Sequence, residues 1–204
     1  MAGAPDGDEE ALGLARAGFE ESLRATRATL EGGLGPLLAA ARLLETALRA
    51  GHRVLCFGNG GSAAQAEHLA AELAGRYARE RPGLPAQALG AGAADLTAIA
   101  NDYGYEQVFA RLLAAHGEAG DVAVALSTSG DSPNVVAAAE EARRRGLRSV
   151  ALCGRGGGKL AGLVDLALVV PSHSTARIQE VHAIAIHVLC ELVERALFPE
   201  ARHP

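Results

Sequence analysis

Five short apolar runs punctuate this chain: RVLCF (53–57), PAQAL (85–89), DVAVALS (121–127), SVALCG (149–154) and LALVV (166–170). Most of them do not alternate apolar with polar residues. A strand with one wet face alternates with period two, whereas a near-continuous apolar run must be covered on both faces, as in a parallel sheet whose strands are joined by helices. Helical stretches fit between and around the runs, at 62–78, 133–145 and 175–197. Two more precede the first run, at 9–31 and 37–50, separated by the breaker GGLGP (32–36). In the first of these Leu12, Ala15, Phe19, Leu23 and Leu30 fall near one face. The expected fold is an α/β three-layer α/β/α sandwich around a mainly parallel five-stranded sheet, over 51–204. The helical arm at 1–50 has no sheet of its own and is expected to pack on a neighbouring subunit.

Composition narrows the possible partners. Alanine (44) and glycine (25) make up a third of the 204 residues, and only seven are aromatic. Ligands that stack on aromatic faces, single-stranded nucleic acids among them, find little to stack on. The net charge of −5 offers no field for a phosphate backbone, so no nucleic-acid partner is expected. No apolar run is long enough for a bilayer, and the acidic start MAGAPDGDEE lacks the apolar core of a signal peptide. Cys56, Cys153 and Cys190 are odd in number and far apart, which reads as buried free thiols in a reducing cytoplasm. Small side chains each bury little area, so such a chain gains from added subunit interfaces.

Two of the apolar runs end in small polar loops that open helices: GNGGS (58–62) and STSGDS (127–132). In open α/β sheets ligands bind at the carboxyl ends of strands, where helix N-termini present free backbone N–H groups. Ser127, Thr128, Ser129 and Ser132 supply four hydroxyls within six residues, a density that suits a phosphate monoester. A Gly/Ser turn before a helix is also simply a good cap. Neither loop carries a dinucleotide fingerprint or a Walker lysine.

His68 and Glu72 stand four apart on the helix after GNGGS, on one face, where they can chelate a divalent metal or set a carboxylate base beside an imidazole. A solvated surface contact is the other reading. The last helix carries Gln179, Glu180, His182 and His187 in an apolar stretch, where polar residues need partners. Gln179 and His187 are eight apart, roughly 12 Å along the axis, so they meet one ion only by extended reach or from different subunits. NDYGY (101–105) reads as a polar turn between helices, with Asn101 and Asp102 as caps or ligand contacts. Arg76 suits a phosphate or a surface acid. GRGGGK (154–159) reads as a flexible connection, its lysine wrongly spaced for a phosphate loop.

Taken together and in this order, GNGGSAAQAEHLAAELAGRY (58–77), RPGLPA (81–86), AIANDYGY (98–105), GDVAVALSTSGDSPNV (120–135), GGGKLAGL (156–163) and RIQEVHAIAIHVL (177–189) resemble the sugar isomerase (SIS) domain, and within it the bacterial phosphoheptose isomerases. The resemblance implies a homotetramer with active sites at subunit interfaces, and a sugar-phosphate substrate. It implies substrate contacts at Asn59, Gly60, Gly61, Ser62, Arg76, Asn101 and Asp102, and a phosphate cradle at Ser127, Thr128, Ser129 and Ser132. It implies a zinc ion (Zn2+), one per subunit, on His68, Glu72, Gln179 and His187, with Glu72 and His187 as the acid–base pair and Gln179 and Glu72 also facing substrate. The implied reaction is ketose–aldose isomerisation of sedoheptulose 7-phosphate through an enediol, the first step of heptose biosynthesis.

Two features depart from that pattern. The tail VPSHSTARIQE…LCELVERALFP also resembles a noncatalytic relative of the same fold, the DnaA initiator-associating protein. Ala176 stands where the isomerases often carry an acid that contacts substrate. Glu72 and His187, which a binding protein need not keep, are both present.

Overall fold

A computed structural model describes residues 6–200; residues 1–5 of the arm and 201–204 of the domain lie outside the described residues. The chain opens with two helices, α1 (Asp6–Glu31) and α2 (Gly35–Arg49). It then alternates β1 (Val54–Gly58), α3 (Gly61–Ala74), β2 (Ala86–Ala88), α4 (Ala93–Tyr103), α5 (Val108–His116), β3 (Val122–Ser127), α6 (Pro133–Arg144), β4 (Arg148–Gly154), β5 (Leu166–Val170) and α7 (Thr175–Leu197). The strands form one five-stranded sheet, ordered β2-β1-β3-β4-β5, with every neighbouring pair parallel. The expected sandwich is therefore present, and its strands fall where the apolar runs lie.

Both faces of the sheet are buried, as the missing alternation requires. Val54, Cys56, Val122, Val124, Leu126, Val150 and Leu152 point into a core shared with α2, α3 and α7. Leu55, Phe57, Ala123, Ala125, Ala151 and Cys153 point the other way, onto α5 and α6. The three cysteines are buried free thiols, and burial pushes Cys153 and Cys190 up to about 12, so their thiols stay protonated. Helix α2 buries Leu37, Ala40, Ala41, Leu44, Ala47 and Leu48 in the first core, so it is a layer of the sandwich itself. What stands out as an arm is α1, whose Leu12, Phe19, Leu23 and Leu30 are exposed while Ala25 anchors it against Val170, Ile178 and Val181. No described helix is long and apolar enough to cross a membrane.

Three local expectations are corrected. The helix expected over 62–78 ends at Ala74, because the guanidinium of Arg81 takes up the carbonyls of Glu72, Leu73 and Gly75. Asn101 and Asp102 are not in a turn: they sit in the last turn of α4, which Gly104 then ends at φ +85°. The glycine-rich segment after β4 is not a loose connection. Gly130 packs so close to it that a Cβ there would meet the Gly157 carbonyl oxygen, and Leu160 N–H and Lys159 N–H donate to the Gly130 carbonyl (2.9 Å) and the Asp131 carboxylate (3.0 Å). It is a backstop for the loop after β3.

Candidate active site

The sheet order reverses between β1 and β3: β2 lies to one side of β1, and β4 and β5 to the far side of β3. Such a switch point leaves a crevice outside the strands' carboxyl ends, and both Gly/Ser loops border it. Gly60, at φ +55° and ψ −123°, takes a backbone conformation open to glycine and turns the chain into α3. Across the crevice Ser127 Oγ lies 3.3 Å from Ser132 Oγ and accepts the Gly130 N–H (3.1 Å), while Ser129 Oγ accepts the Asp131 N–H (3.1 Å). The four-hydroxyl loop is thus folded on itself at the start of α6, beside Thr128, with Ser132 as the residue preceding the helix.

A pair of asparagines ties the two loops. Asn59 and Asn134 exchange two amide hydrogen bonds, each 2.8 Å, and Asn134 is buried. Tyr105 donates its hydroxyl to Asn59 Oδ1 (3.0 Å), which brings the segment after α4 to the same place. Asn101 and Asp102 bond each other at 3.0 Å and are exposed. Ser62 is buried at the start of α3.

The second group lies further along α3, where it faces α7. His68 Nε2 is 3.2 Å from Glu72 Oε1 and 3.1 Å from His187 Nε2, and the three ligand atoms lie within 4.8 Å of one another. Two imidazole Nε2 lone pairs and a carboxylate converging on one point form a set that a metal ion satisfies. His68 is half exposed, with Glu72 and His187 partly buried behind it. The ring of Tyr77 stacks on His187 with centroids 5.7 Å apart. Gln179 stands apart from these three: its amide packs over Gly61, at the opening of α3, where a Cβ would come within 2.5 Å of Nε2. Arg76, just past the helix, is exposed and lies 3.7 Å from Glu80. His182 is a core residue, bonded through Nε2 to the Cys153 carbonyl (3.1 Å). Glu180 pairs with Arg177 at 2.8 Å.

Residues 18–154 match the family model of the SIS domain. The phosphoheptose isomerase of Roseiflexus sp. (strain RS-1) is 53% identical over 183 residues, 89% of this chain and 92% of that protein. The phosphoheptose isomerase of Geobacter sp. (strain M21) is 52% identical over 170 residues, 83% of this chain and 88% of its own. The solved structure of the phosphoheptose isomerase from Neisseria gonorrhoeae superposes with a TM-score of 0.85 at 42% identity, covering 90% of this chain and 98% of that one. The chain belongs to the phosphoheptose isomerase family of SIS-domain proteins.

In this member of the phosphoheptose isomerase family, Asn134, Tyr105 and Tyr77 join the site through contacts that local sequence does not announce. Asn134 is the second residue of α6, after Pro133, where nothing in the sequence marks a partner; its burial does. Tyr105 and Tyr77 are two of only three tyrosines in an aromatic-poor chain, and that scarcity is the one sequence signal they carry.

Proposed function

We propose that the chain is a phosphoheptose isomerase, converting sedoheptulose 7-phosphate to D-glycero-D-manno-heptose 7-phosphate and so opening heptose biosynthesis. The observation that carries this reading is the convergence of His68, Glu72 and His187, their ligand atoms within 4.8 Å of one another, on α7 and on the helix that the first phosphate-type loop opens. The substrate's phosphate rests on the hydroxyls of Ser127, Thr128, Ser129 and Ser132 and on the N-terminus of α6, where backbone dipoles favour an anion. Asn59, Gly60, Gly61 and Ser62 hold the sugar's hydroxyls, with Asn101, Asp102, Arg76 and Gln179 contributing further contacts.

In the open-chain ketose Glu72 takes a proton from C1, giving the enediol, and returns a proton to C2. His187 moves a proton between O1 and O2, so that the carbonyl passes from C2 to C1. The donor set fits zinc: ligand atoms about 2.0–2.1 Å from one ion at tetrahedral angles stand about 3.3 Å apart, against 3.1 Å between the two imidazole Nε2 atoms and 3.2 Å from His68 Nε2 to Glu72 Oε1. His68, Glu72 and His187 would hold the ion; Gln179, which packs over Gly61 instead, would complete the set only from a neighbouring subunit. Bound there, zinc would polarise the substrate's carbonyl oxygen as a Lewis acid.

His68 and Glu72 follow Gly61 by seven and eleven residues, about 10 and 16 Å along α3. A single sugar phosphate is better enclosed if a second subunit closes over His68 and the exposed apolar face of α1 packs on a neighbour. We therefore read the enzyme as a cytoplasmic homotetramer with α1 as its assembly arm. The assembled Glu72–His187 pair favours turnover over the initiator-binding reading.

Incubation with sedoheptulose 7-phosphate should yield the aldose phosphate, and Glu72→Gln should lower kcat by at least ~10²-fold while the fold persists. An absence of turnover in the wild type, with and without added zinc, overturns the assignment.

A further inference from the structure

Between the segment that follows α3 and the last turns of α7 lies a buried ion pair that the reaction does not use. Arg81 Nε donates to Glu194 Oε1 at 2.9 Å, and the two side chains are 0% and 1% exposed. Arg81 also donates from Nη2 to the carbonyl of Glu72 (2.8 Å) and from Nη1 to those of Leu73 (2.8 Å) and Gly75 (3.0 Å). These are carbonyls of the last turn of α3 and of its capping residue, which the helix itself leaves without partners and whose partial negative charge a guanidinium complements. On the other side, Glu194 accepts the N–H groups of Tyr77 (2.7 Å), Ala78 (3.0 Å) and Arg79 (3.1 Å). Burial works against ionisation of Glu194, but those N–H groups and Arg81 outweigh it and hold the carboxyl below its ordinary value.

A buried ion pair is a poor source of stability, because desolvation takes back most of the Coulombic gain. What this one does have is placement. It grips the backbone of Glu72 at one end. At the other it fixes Tyr77, whose ring lies on His187, and Glu194 itself sits two turns beyond His187 on α7. We propose that Arg81 and Glu194, acting through Tyr77, are positioning residues that set Glu72 and His187 against each other. The clasp joins the end of α3 to α7 so that the carboxylate and the imidazole meet at one angle and distance. The kinetic part of this inference rests on the isomerase reading; the geometric part does not.

The test uses the full chain with Tyr77→Phe, Tyr77→Leu and Glu194→Gln, reading turnover of sedoheptulose 7-phosphate, thermal unfolding, and the imidazole ring resonances of His187 by NMR. Tyr77→Phe should keep kcat within about twofold, and Tyr77→Leu should lower it about tenfold or more while KM stays within about threefold. The His187 resonances should shift in Tyr77→Leu, which loses the ring current, and in Glu194→Gln, which loosens the segment holding that ring. Glu194→Gln should also lower kcat well below its melting temperature, so a drop in stability is separable from misplacement. Wild-type kcat in Tyr77→Leu, or a lowered melting temperature in Glu194→Gln with kcat unchanged, would overturn the proposal. If the wild type itself turns over no substrate, the isomerase reading fails and the resonances decide alone: unmoved in both variants, they overturn the clasp.

Discussion

His68 Nε2 on α3 and His187 Nε2 on α7 face each other at 3.1 Å, across 119 residues of sequence. A single proton can lie between two such nitrogens, and a second would clash, so a cation that accepts both lone pairs relieves the arrangement. Binding to the native state alone stabilises it in proportion to the logarithm of ligand concentration over Kd. Chelation of the wild-type protein should therefore lower both its melting temperature and its turnover, and added zinc should restore both. In His187→Ala the melting temperature should not respond to chelator. A wild type that melts and turns over identically with and without chelator removes the metal from the proposal.

Gly130 and Gly61 both approach other groups closely, but alanine should act differently at the two positions. At Gly130 the backbone is at φ +72°, and a Cβ would lie 2.0 Å from the Gly157 carbonyl oxygen, a backbone atom that cannot swing aside. Gly130→Ala should cost on the order of 2–4 kcal/mol, read by denaturant unfolding. At Gly61 the obstacle is Gln179 Nε2 at 2.5 Å, the far end of a flexible side chain, and the position is helical. Gly61→Ala should stay within about 1 kcal/mol of wild type yet lower kcat/KM, because Gln179 must leave its place. Equal destabilisation by both would contradict this account of the two loops.

The layers and the two loops were legible in the sequence because both follow from local chemistry. A run such as VAVALS must be buried on both faces, and a strand ending in Gly, Asn and Ser must turn at a strand's carboxyl end. The limits of α3 were not legible, since the helix ends where a guanidinium seven residues beyond Ala74 captures its carbonyls. The same holds for the Asn59–Asn134 pair, whose members are 75 residues apart and meet only once β1 and β3 are neighbours. His68 and Glu72 announced themselves by helical spacing, whereas the contact with His187 depends on how α7 lies on α3. The spacing of Gln179 and His187 already said that one helix brings them to a common ion only with difficulty.

Helix α1 presents Leu12, Phe19 and Leu23 to solvent at 67%, 76% and 69% exposure, aligned along one face. An apolar stripe of this kind is normally covered. If it docks on neighbouring subunits, Phe19→Asp combined with Leu23→Asp should lower the assembled mass measured by light scattering, with the secondary structure intact. If the neighbour also closes the site, turnover should fall together with the mass. A double variant that keeps both the wild-type mass and activity rules the arm out as the assembly element.

His182 is fully buried, and its Nε2–H donates to the Cys153 carbonyl, leaving Nδ1 buried without a partner. Charging the ring would put a second N–H into apolar surroundings. Burial accordingly pulls the imidazole down from 6.5 to about 4, with the Cys153 carbonyl opposing only part of the shift. Between those two values the unfolded chain binds the proton and the native one does not, so stability rises with pH across the window and is lost as the pH falls from 6.5 toward 4. From about pH 7.5 to about pH 5.5 this single group should remove roughly 1 kcal/mol. The carboxyls of Glu194 and Asp165, held below their ordinary 4.5 and 3.8, withdraw their contributions only at lower pH, so they do not mask the effect. His182→Gln keeps a donor for the Cys153 carbonyl but cannot titrate. Its unfolding free energy, measured at the same two pH values, should lose about 1 kcal/mol less than that of the wild type. Equal losses in the two proteins would mean that His182 is charged in the native state.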